Sequence, residues 1–297
     1  SHKMEEVFRI SDRITVLRDG KLVSTDPVSE TSNNDLIRKM VGRELKEFFP
    51  RRDTVPGQKV LELKNLSRKN SFTGLIFALR KGEVLGLAGL VGSGRTEILE
   101  TIFGSPPAEE GEVNVSGKPV SVKSPRDSIR HGIALVPEDR KTSGLSLLGS
   151  VLFNTSLPTL SDYARRGGIL SGKKEKHAVT VITKSLQVKA ANLKQSAGHL
   201  SGGNQQKIVL AKWLLTQPEI LLFDEPTRGI DIGAKTEIYR IINKLVQEGI
   251  SILMVSSEMP ELMGMCDRIL GIRKGSITRE FHRNDFDQEK IMAAIMN

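Results

Sequence analysis

The sequence predicts an α/β fold, and three apolar segments with polar ends support this prediction. Residues 220–223 are apolar and run directly into Asp224 and Glu225, a pattern typical of a buried parallel strand. A second apolar strand at 84–88 enters a glycine-rich loop, and a third is predicted at 133–137. Because open α/β sheets bind ligands at the carboxyl ends of their strands, the two carboxylates indicate a binding site.

The other elements follow in order along the chain. Alternating apolar and polar residues predict strands at 60–66 and 75–79, and a short hairpin at 113–122. Helical periodicity interrupted by turns predicts a helical insertion at 145–196, followed by an amphipathic helix at 204–215. The rest is predicted as a helix at 232–247, a strand at 250–255, a short helix at 260–265 and a strand at 268–272.

The composition is that of a globular protein with excess positive charge. Of 297 residues, 38% are hydrophobic and 27% charged, and neither a membrane-spanning run nor a signal peptide is expected. The net charge of +9 is compatible with nucleic acid, an anionic membrane surface or nucleotides, and the scattered basic residues do not choose among them. The single cysteine, Cys266, excludes a disulfide framework and is typical of a reducing cytosol.

The two ends of the chain resemble each other. At an offset of 255 residues (256 − 1), the Asp-Arg-Ile at 12–14 meets an identical triplet, and the helical pattern at 36–41 falls on that at 291–296 without a gap. Residues 1–42 therefore copy residues 256–297. A period this long indicates tandem copies of a whole domain, and chance similarity between two such tails is the alternative.

This repeat predicts the domain organisation. Residues 1–42 would be the tail of a first copy, and the charged, proline-containing residues 43–58 a linker. Residues 59–297 would be one full second copy.

The glycine-rich loop has the spacing of a phosphate-binding loop, with an arginine where lysine is expected. Its glycines allow backbone N–H groups to wrap phosphate oxygens, and the following helix presents its positive end to the same anion. A tight strand-to-helix turn of any α/β protein is the alternative. The loop residues are Gly89, Leu90, Val91, Gly92, Ser93, Gly94, Arg95 and Thr96.

Two further segments add chemistry to this loop. A strand-end aspartate near a phosphate loop is the usual Mg²⁺ partner, with Thr96 placed to offer its hydroxyl, and Glu225 can orient or deprotonate a water. Upstream, at 200–205, Ser201 can cap a helix whose glycine amides form a second anion site. Exposed turn acids and an ordinary helix cap are the alternatives.

Together these segments resemble the nucleotide-binding subunit of ATP-binding cassette (ABC) transporters. The glycine-rich loop resembles Walker A, residues 200–205 the signature motif, 220–225 Walker B and 227–231 the D-loop. The wider sequence is similar to the second cassette of bacterial monosaccharide importers of the ribose, galactose and xylose type, which fuse two cassettes. This resemblance implies a P-loop NTPase with a RecA-like core of mixed sheet, an antiparallel β subdomain and an α-helical signature subdomain at about 140–215.

The resemblance also implies roles for individual residues. The loop residues would bind ATP, Thr96 and Asp224 would hold Mg²⁺, and Glu225, Glu138 and Ser257 would occupy catalytic positions. Asp231 would be the D-loop aspartate, and His2 the switch histidine of the first cassette. The signature residues, which would complete the ATP site of that first cassette in a head-to-tail pair, are Leu200, Ser201, Gly202, Gly203 and Gln205.

Three residues depart from the family pattern. Arg95 replaces a lysine, Glu138 stands where the Q-loop glutamine is expected, and Ser257 aligns with His2. The guanidinium of Arg95 is planar and bidentate, unlike a lysine ammonium. The carboxylate of Glu138 repels the γ-phosphate unless Mg²⁺ or Arg95 offsets its charge. Ser257 lacks the imidazole that a histidine would supply. We therefore predict that this cassette hydrolyses ATP slowly and donates its signature to an active first site, although Glu225 is retained.

The implied partners are transmembrane permease subunits, the first cassette and, indirectly, a periplasmic or extracellular sugar-binding protein. The implied location is peripheral, at the cytoplasmic face of the membrane, and no nucleic acid is expected. Arg140 and Lys141 lie where such cassettes meet the coupling helix of the permease, and a solvated basic turn is the alternative.

Two other functions remain open. A tandem-cassette ATPase acting on the ribosome or nucleic acid usually has a longer charged linker than residues 43–58. A cassette that only binds nucleotide and acts as a scaffold is favoured by Arg95 and Ser257. Phe72 could stack on adenine but is expected in the core, as is Trp213. No role is predicted for His131, His177, His199, His282 or Cys266.

Overall fold

A computed structural model describes residues 4–18, 21–32, 35–36, 39, 49–50, 54–164 and 169–296. Its helices are α1 (Met4–Ile10), α2 (Arg95–Ile102), α3 (Pro125–Arg130), α4 (Val151–Ser156), α5 (Gly172–Ser185), α6 (Gly202–Leu214), α7 (Ile232–Gln247), α8 (Met259–Met265) and α9 (Gln288–Met296). Its strands are β1 (Arg13–Arg18), β2 (Lys21–Pro27), β3 (Lys59–Arg68), β4 (Phe72–Arg80), β5 (Val84–Gly89), β6 (Glu110–Val115), β7 (Lys118–Val120), β8 (Ile133–Val136), β9 (Ile220–Asp224), β10 (Ser251–Val255), β11 (Arg268–Arg273) and β12 (Ser276–His282).

A mixed six-stranded sheet in the order β12-β11-β5-β10-β9-β8 forms the centre of the molecule. Only β12 runs antiparallel to its neighbour; the other pairings are parallel. Strands β9 and β10 are buried along their whole length because both sheet faces are covered, which explains their continuous apolar sequences. The carboxyl ends of β5, β10, β9 and β8 therefore lie side by side at one edge, and the predicted α/β class is confirmed.

A second, antiparallel sheet has the order β4-β3-β6-β7. Alternate residues of β4 are buried, as the period-two pattern predicts, and β4 begins at Phe72, which is 2% exposed. Burial of this ring confirms the core interpretation of Phe72 and removes it as an adenine-stacking residue. The predicted antiparallel subdomain is present.

The helical part of the molecule packs around α6. Most side chains of α6 are buried, and α4 and α5 lie against it. Trp213 on α6 contacts Phe103 edge to face, with ring centroids 5.5 Å apart, so Trp213 is a core residue as predicted. Of the signature residues at the amino end of this helix, Ser201 is exposed, whereas Leu200 and Gln205 are buried.

The helices and strands near the two chain ends have matching sequence boundaries when one end is shifted by 255 residues. Helix α1 and strands β1 and β2 have the same bounds as α8, β11 and β12 shifted by that offset, including one register shift at the equivalent position. Strand β11 pairs with β5 on its other edge, whereas among the described residues β1 pairs only with β2. Leu17 of β1 and Leu22 of β2 are 68% and 66% exposed.

A buried ion pair joins β11 to the start of β5. Arg268 donates from Nε to Glu83 Oε1 at 2.5 Å and from Nη1 to Glu280 Oε1 at 2.7 Å. The Glu83 side chain is 1% exposed and that of Glu280 is 42% exposed. Removal of a buried partner leaves an uncompensated charge, whereas loss of an exposed pair costs little.

We therefore expect Glu83→Gln to lower the free energy of unfolding by about 3–5 kcal/mol, measured by urea denaturation. The control Glu280→Gln should change it by less than about 1 kcal/mol. Equal effects of the two substitutions would contradict this assignment.

Candidate functional site

A cleft of about 460 Å³ opens at the carboxyl edge of the central sheet. Because β5, β8, β9 and β10 are parallel neighbours, the segments that follow them converge there. The cleft is lined by Val91, Gly92, Ser93, Gly94, Arg95, Thr96, Glu97, Glu138, Glu225, Arg228, Val255 and Ser257. The structure thus brings the loop residues 91–96 together with Glu138, Glu225 and Ser257, while Leu90 is exposed at the loop tip and Gly89 lies at its base.

The loop that follows β5 requires glycine at two positions. A Cβ on Gly89 would lie 2.4 Å from Ser93 Oγ, because the loop folds back on itself, and 2.7 Å from the Ile272 carbonyl oxygen on the neighbouring strand β11. Gly94 is the N-cap of α2 and has a φ of 98°, in the left-handed region. The loop therefore curls tightly, with the amino end of α2 facing the cleft.

Arg95 turns back beneath the cleft. Its side chain is 8% exposed, and Nη1 donates to the Ser256 carbonyl oxygen at 2.9 Å. Burial lowers the pKa of Arg95, while Glu225 and Asp224 oppose that shift through their negative charges. Arg95 binds the residue that follows β10, and Asp224 ends the neighbouring parallel strand β9, so both lie at the carboxyl edge of the sheet, as a shared site requires.

Asp224 ends β9 below the cleft and is 3% exposed. Its Oδ1 is buried and accepts no hydrogen bond from any residue that the structure describes. Burial raises the pKa of Asp224 to about 6, against the opposite influence of the Thr96 hydroxyl and Arg95. A buried carboxylate oxygen without a donor, close to a threonine hydroxyl, fits a Mg²⁺ ligand set.

The raised pKa predicts a pH-dependent stability. The folded state holds the Asp224 proton more tightly than the unfolded chain, whose pKa is near 3.8, so this stabilisation is complete below pH 3.8 and is lost as the pH rises through about 6. In the absence of metal and nucleotide, Asp224→Asn should raise the free energy of unfolding at pH 8 by up to about 3 kcal/mol.

The gain from Asp224→Asn should shrink as the pH is lowered to 5, in denaturation curves measured across this range. Asp285→Asn, at an exposed aspartate, is the control. A gain that does not vary with pH would show that ionisation of Asp224 is not its cause.

Glu225 has a backbone conformation that is rare for a side-chain-bearing residue. Its φ is 48°, and such strain costs on the order of 1–3 kcal/mol. The backbone is fixed by a hydrogen bond from its N–H to the Val255 carbonyl oxygen at 3.0 Å, and Ser257 Oγ donates to Oε2 at 3.0 Å. The carboxylate is thereby held in the cleft, where it can orient a water.

Glu138 pairs with Arg228, a residue that the sequence reasoning missed. Arg228 Nη1 contacts Glu138 Oε1 across the mouth of the cleft. Arg228 therefore supplies a positive charge to this carboxylate in addition to Mg²⁺ and Arg95, the two sources considered from the sequence. The available signal was an arginine within the segment resembling the D-loop, but nothing in the sequence relates it to a glutamate 90 residues earlier (228 − 138).

Glu261 joins the loops that follow β9 and β10. This glutamate is 1% exposed, accepts a hydrogen bond from Thr227 Oγ1 at 2.7 Å and also accepts one from Ser256 Oγ. Burial raises the pKa of Glu261. The two loops that carry Glu225 and Ser257 are consequently fixed relative to each other.

The signature residues lie at the amino end of α6. Ser201 occupies the N-cap position but makes no capping hydrogen bond; its hydroxyl accepts one from Asn204 Nδ2 at 2.9 Å, so the expected side-chain cap is wrong. Leu200 and Gln205 are buried, and Gln205 Nε2 donates to the Ala197 carbonyl oxygen at 3.2 Å. Ser201 is exposed, and the described lining of the cleft includes none of Leu200, Ser201, Gly202, Gly203 and Gln205.

Two predicted residues remain, Asp231 and His2. Asp231 is exposed and accepts a hydrogen bond from the Ala234 N–H at 2.9 Å, so it caps α7. His2 lies outside the described residues.

Over the part of the chain that the structure covers, no helix has both the length and the apolar character to span a bilayer.

Comparison with known families identifies this arrangement. Residues 72–228, more than half of the chain, match the family model described as ABC transporter. The chain belongs to the ABC transporter family. The matched residues run from the start of β4 to Arg228 and so include the glycine-rich loop, Glu138, the signature, Asp224 and Glu225.

Curated relatives within the ABC family are similar over nearly the whole chain. The chain is 46% identical over 292 residues to the ribose import ATP-binding protein of Bacillus subtilis, covering 98% of this chain and 59% of that protein. It is 47% identical over 300 residues to the xylose import ATP-binding protein of Thermoanaerobacter pseudethanolicus, covering 98% and 59%. The chain thus spans about three fifths of the length of these relatives.

Solved ABC structures support the fold alone. A nucleotide-free ATP-binding cassette matches with a TM-score of 0.67 at 21% identity, covering 81% of this chain and all of that one. The ADP conformation of another ABC cassette matches with a TM-score of 0.68 at 21% identity, covering 80% and 98%. The predicted P-loop NTPase fold is confirmed.

Proposed function

We propose that this chain is part of the ATP-binding and hydrolysing subunit that powers import of a monosaccharide through an ABC transporter. The observation that carries the proposal is the convergence of the glycine-rich loop, Asp224 and Glu225 at one sheet edge. The similarity to proteins named for ribose and xylose import supports the substrate class.

In the proposed reaction, the loop amides and the amino end of α2 bind the phosphates of ATP. Thr96 and Asp224 would hold Mg²⁺, which would neutralise negative charge on the phosphates. Glu225 orients the attacking water, and Arg228 keeps Glu138 neutralised so that the triphosphate is not repelled.

We further propose that this site hydrolyses ATP slowly, and that the chain contributes to ATP hydrolysis mainly by supplying its signature residues to the site of the partner cassette. Arg95 is directed to the Ser256 carbonyl oxygen, and Ser257 offers a hydroxyl in place of an imidazole. Ser201 is exposed outside this cleft, where it is available to complete the site of a partner cassette.

The partner cassette is proposed to precede residues 1–42 in the same polypeptide. The coincident bounds of α1, β1 and β2 with α8, β11 and β12 support a second copy of the same fold. In this proposal, the edge of β1 that has no strand partner within the described part of the chain pairs with the strand of the first cassette that corresponds to β5. Residues 43–58 then connect the two cassettes.

The remaining proposed partners are permease subunits and, indirectly, a sugar-binding protein, with the chain bound at the cytoplasmic face of the membrane. Exposed apolar side chains support a docking surface on the helical part: Leu148 is 97% exposed, and Phe153 and Leu157 are each 43% exposed. Isolated exposed apolar residues are common, but three in one short stretch favour a partner.

The test is Mg²⁺-dependent ATP hydrolysis by the two-cassette protein, together with uptake of labelled ribose or xylose into vesicles containing its permease. Hydrolysis coupled to uptake is expected. Absence of ATP hydrolysis would refute the proposal, and salt-sensitive RNA binding without uptake would instead favour the ribosome-associated class.

A further inference from the structure

The segment from Glu138 to Gly144 follows β8 and connects the cleft to the helical part. It contains a five-residue π-helical turn at Arg140–Gly144, and Asp139 Oδ1 accepts a hydrogen bond from the Lys141 N–H at 2.8 Å. Lys141 is exposed, whereas Arg140 is partly buried and points inward. Of the two residues for which a solvated basic turn was the alternative, Lys141 is exposed and Arg140 is only partly so.

The Arg140 guanidinium joins two separate motifs. Its Nη1 donates to the Arg228 carbonyl oxygen at 2.7 Å, and its Nη2 donates to the Gly229 carbonyl oxygen at 3.0 Å, both in the segment after Asp224 and Glu225. Its Nε donates to Gln205 Oε1 on α6 at 3.3 Å. One planar side chain thus satisfies acceptors on the D-loop segment and on the signature helix.

Two further contacts fix the same segment. Arg228 of the D-loop segment contacts Glu138, whereas Arg140 of the Glu138–Gly144 segment contacts the D-loop carbonyl groups, so the two segments are joined by two arginines. At the other end, Lys212 Nζ on α6 donates to the Gly144 carbonyl oxygen at 3.0 Å. The segment is held to α6 at both ends and to the D-loop at its start.

From this geometry we infer that Arg140 is a positioning residue that holds the signature helix and the D-loop in register with Glu138 at the cleft. The inference deepens the proposed function and rests on it. The hydrogen bonds of Arg140 reach the signature residue Gln205 and the D-loop segment rather than the glycine-rich loop; they set where Ser201 and Asp231 lie relative to the cleft. Because the signature residues would contact nucleotide bound to a partner cassette, their position relative to the cleft affects the rate of ATP hydrolysis.

An arginine is required because its three nitrogens donate in one plane. Lysine carries the same charge but places its donors on one atom, so it does not reproduce three nitrogens spread over acceptors on two motifs. A conservative substitution therefore separates the role of charge from that of geometry.

The test compares Arg140→Ala and Arg140→Lys in the two-cassette protein with its permease. The matched control is Arg130→Ala, an arginine on α3 that is 63% exposed and lies outside the cleft lining. The measurements are kcat and KM for ATP hydrolysis, the Kd of a fluorescent ATP analogue and the melting temperature.

We expect Arg140→Ala to lower kcat about tenfold or more, with nucleotide affinity within about threefold of the wild type. Arg140→Lys should recover less than about half of the lost activity, and Arg130→Ala should match the wild type. A kcat within about twofold of the wild type would overturn the inference, as would a joint loss of affinity and melting temperature. If the wild-type protein hydrolyses no ATP, the proposed function itself fails.

Discussion

Ser201→Glu should reduce ATP hydrolysis by the two-cassette protein about 100-fold. Ser201 is exposed at the amino end of α6, so the substitution should not disturb folding. A carboxylate there would face the triphosphate of the partner site and repel it. Because the proposed active site is the one that this signature completes, most turnover should be lost. Steady-state phosphate release measures the effect.

Two comparisons make this result specific. Ser121→Glu introduces the same charge at another exposed serine, in the segment after β7, and should leave the rate unchanged. Glu225→Gln removes the carboxylate of the slow site and should lower total hydrolysis by less than about twofold. Loss of activity with Glu225→Gln and not with Ser201→Glu would reverse the proposed asymmetry.

Ser257→His should increase hydrolysis at the cassette's own site about tenfold or more. The effect is measured in protein that also carries Ser201→Glu, where the remaining turnover comes from this site. Ser257 is exposed beside Glu225, with 3.0 Å between Oγ and Oε2, so an imidazole introduced there would project into the cleft. It could donate a hydrogen bond to a γ-phosphate, which a serine hydroxyl bound to Glu225 does not.

Ser257→Ala is the control for this gain. It removes the hydrogen bond to Glu225 without adding an imidazole, and it should not increase the rate. If alanine and histidine raised the rate equally, release of Glu225 would explain the gain. If neither did, Arg95 or Glu138 would be the limiting replacement.

The sequence predicted the central sheet well because its strands are buried on both faces. Continuous apolar runs such as 220–223 and 252–255 are compatible with few structures other than a buried strand. The parallel arrangement then places the residues that follow these strands at one edge. The helix at 232–247 was predicted with its bounds, because a strong amphipathic pattern follows the capping Asp231. Local pattern was sufficient in these cases.

Side-chain contacts between residues far apart in the sequence could not be predicted from local sequence patterns. The bond from Arg140 to Gln205 spans the whole helical insertion, and the pair of Arg228 with Glu138 depends on how that insertion returns to the sheet. The backbone bend at Glu225 was also missed, because a positive φ at glutamate has no local sequence signal. These features depend on tertiary packing.

Strand β1 presents a row of unused amide and carbonyl groups among the described residues, next to the largely exposed Leu17 and Leu22. Such an edge is a template for a strand from another molecule, and the charged residues of β1, Arg13 and Arg18, stand only at its two ends. Separate copies of the chain thus have a built-in route to edge-to-edge association and aggregation at high concentration, unless a strand of matching direction covers it.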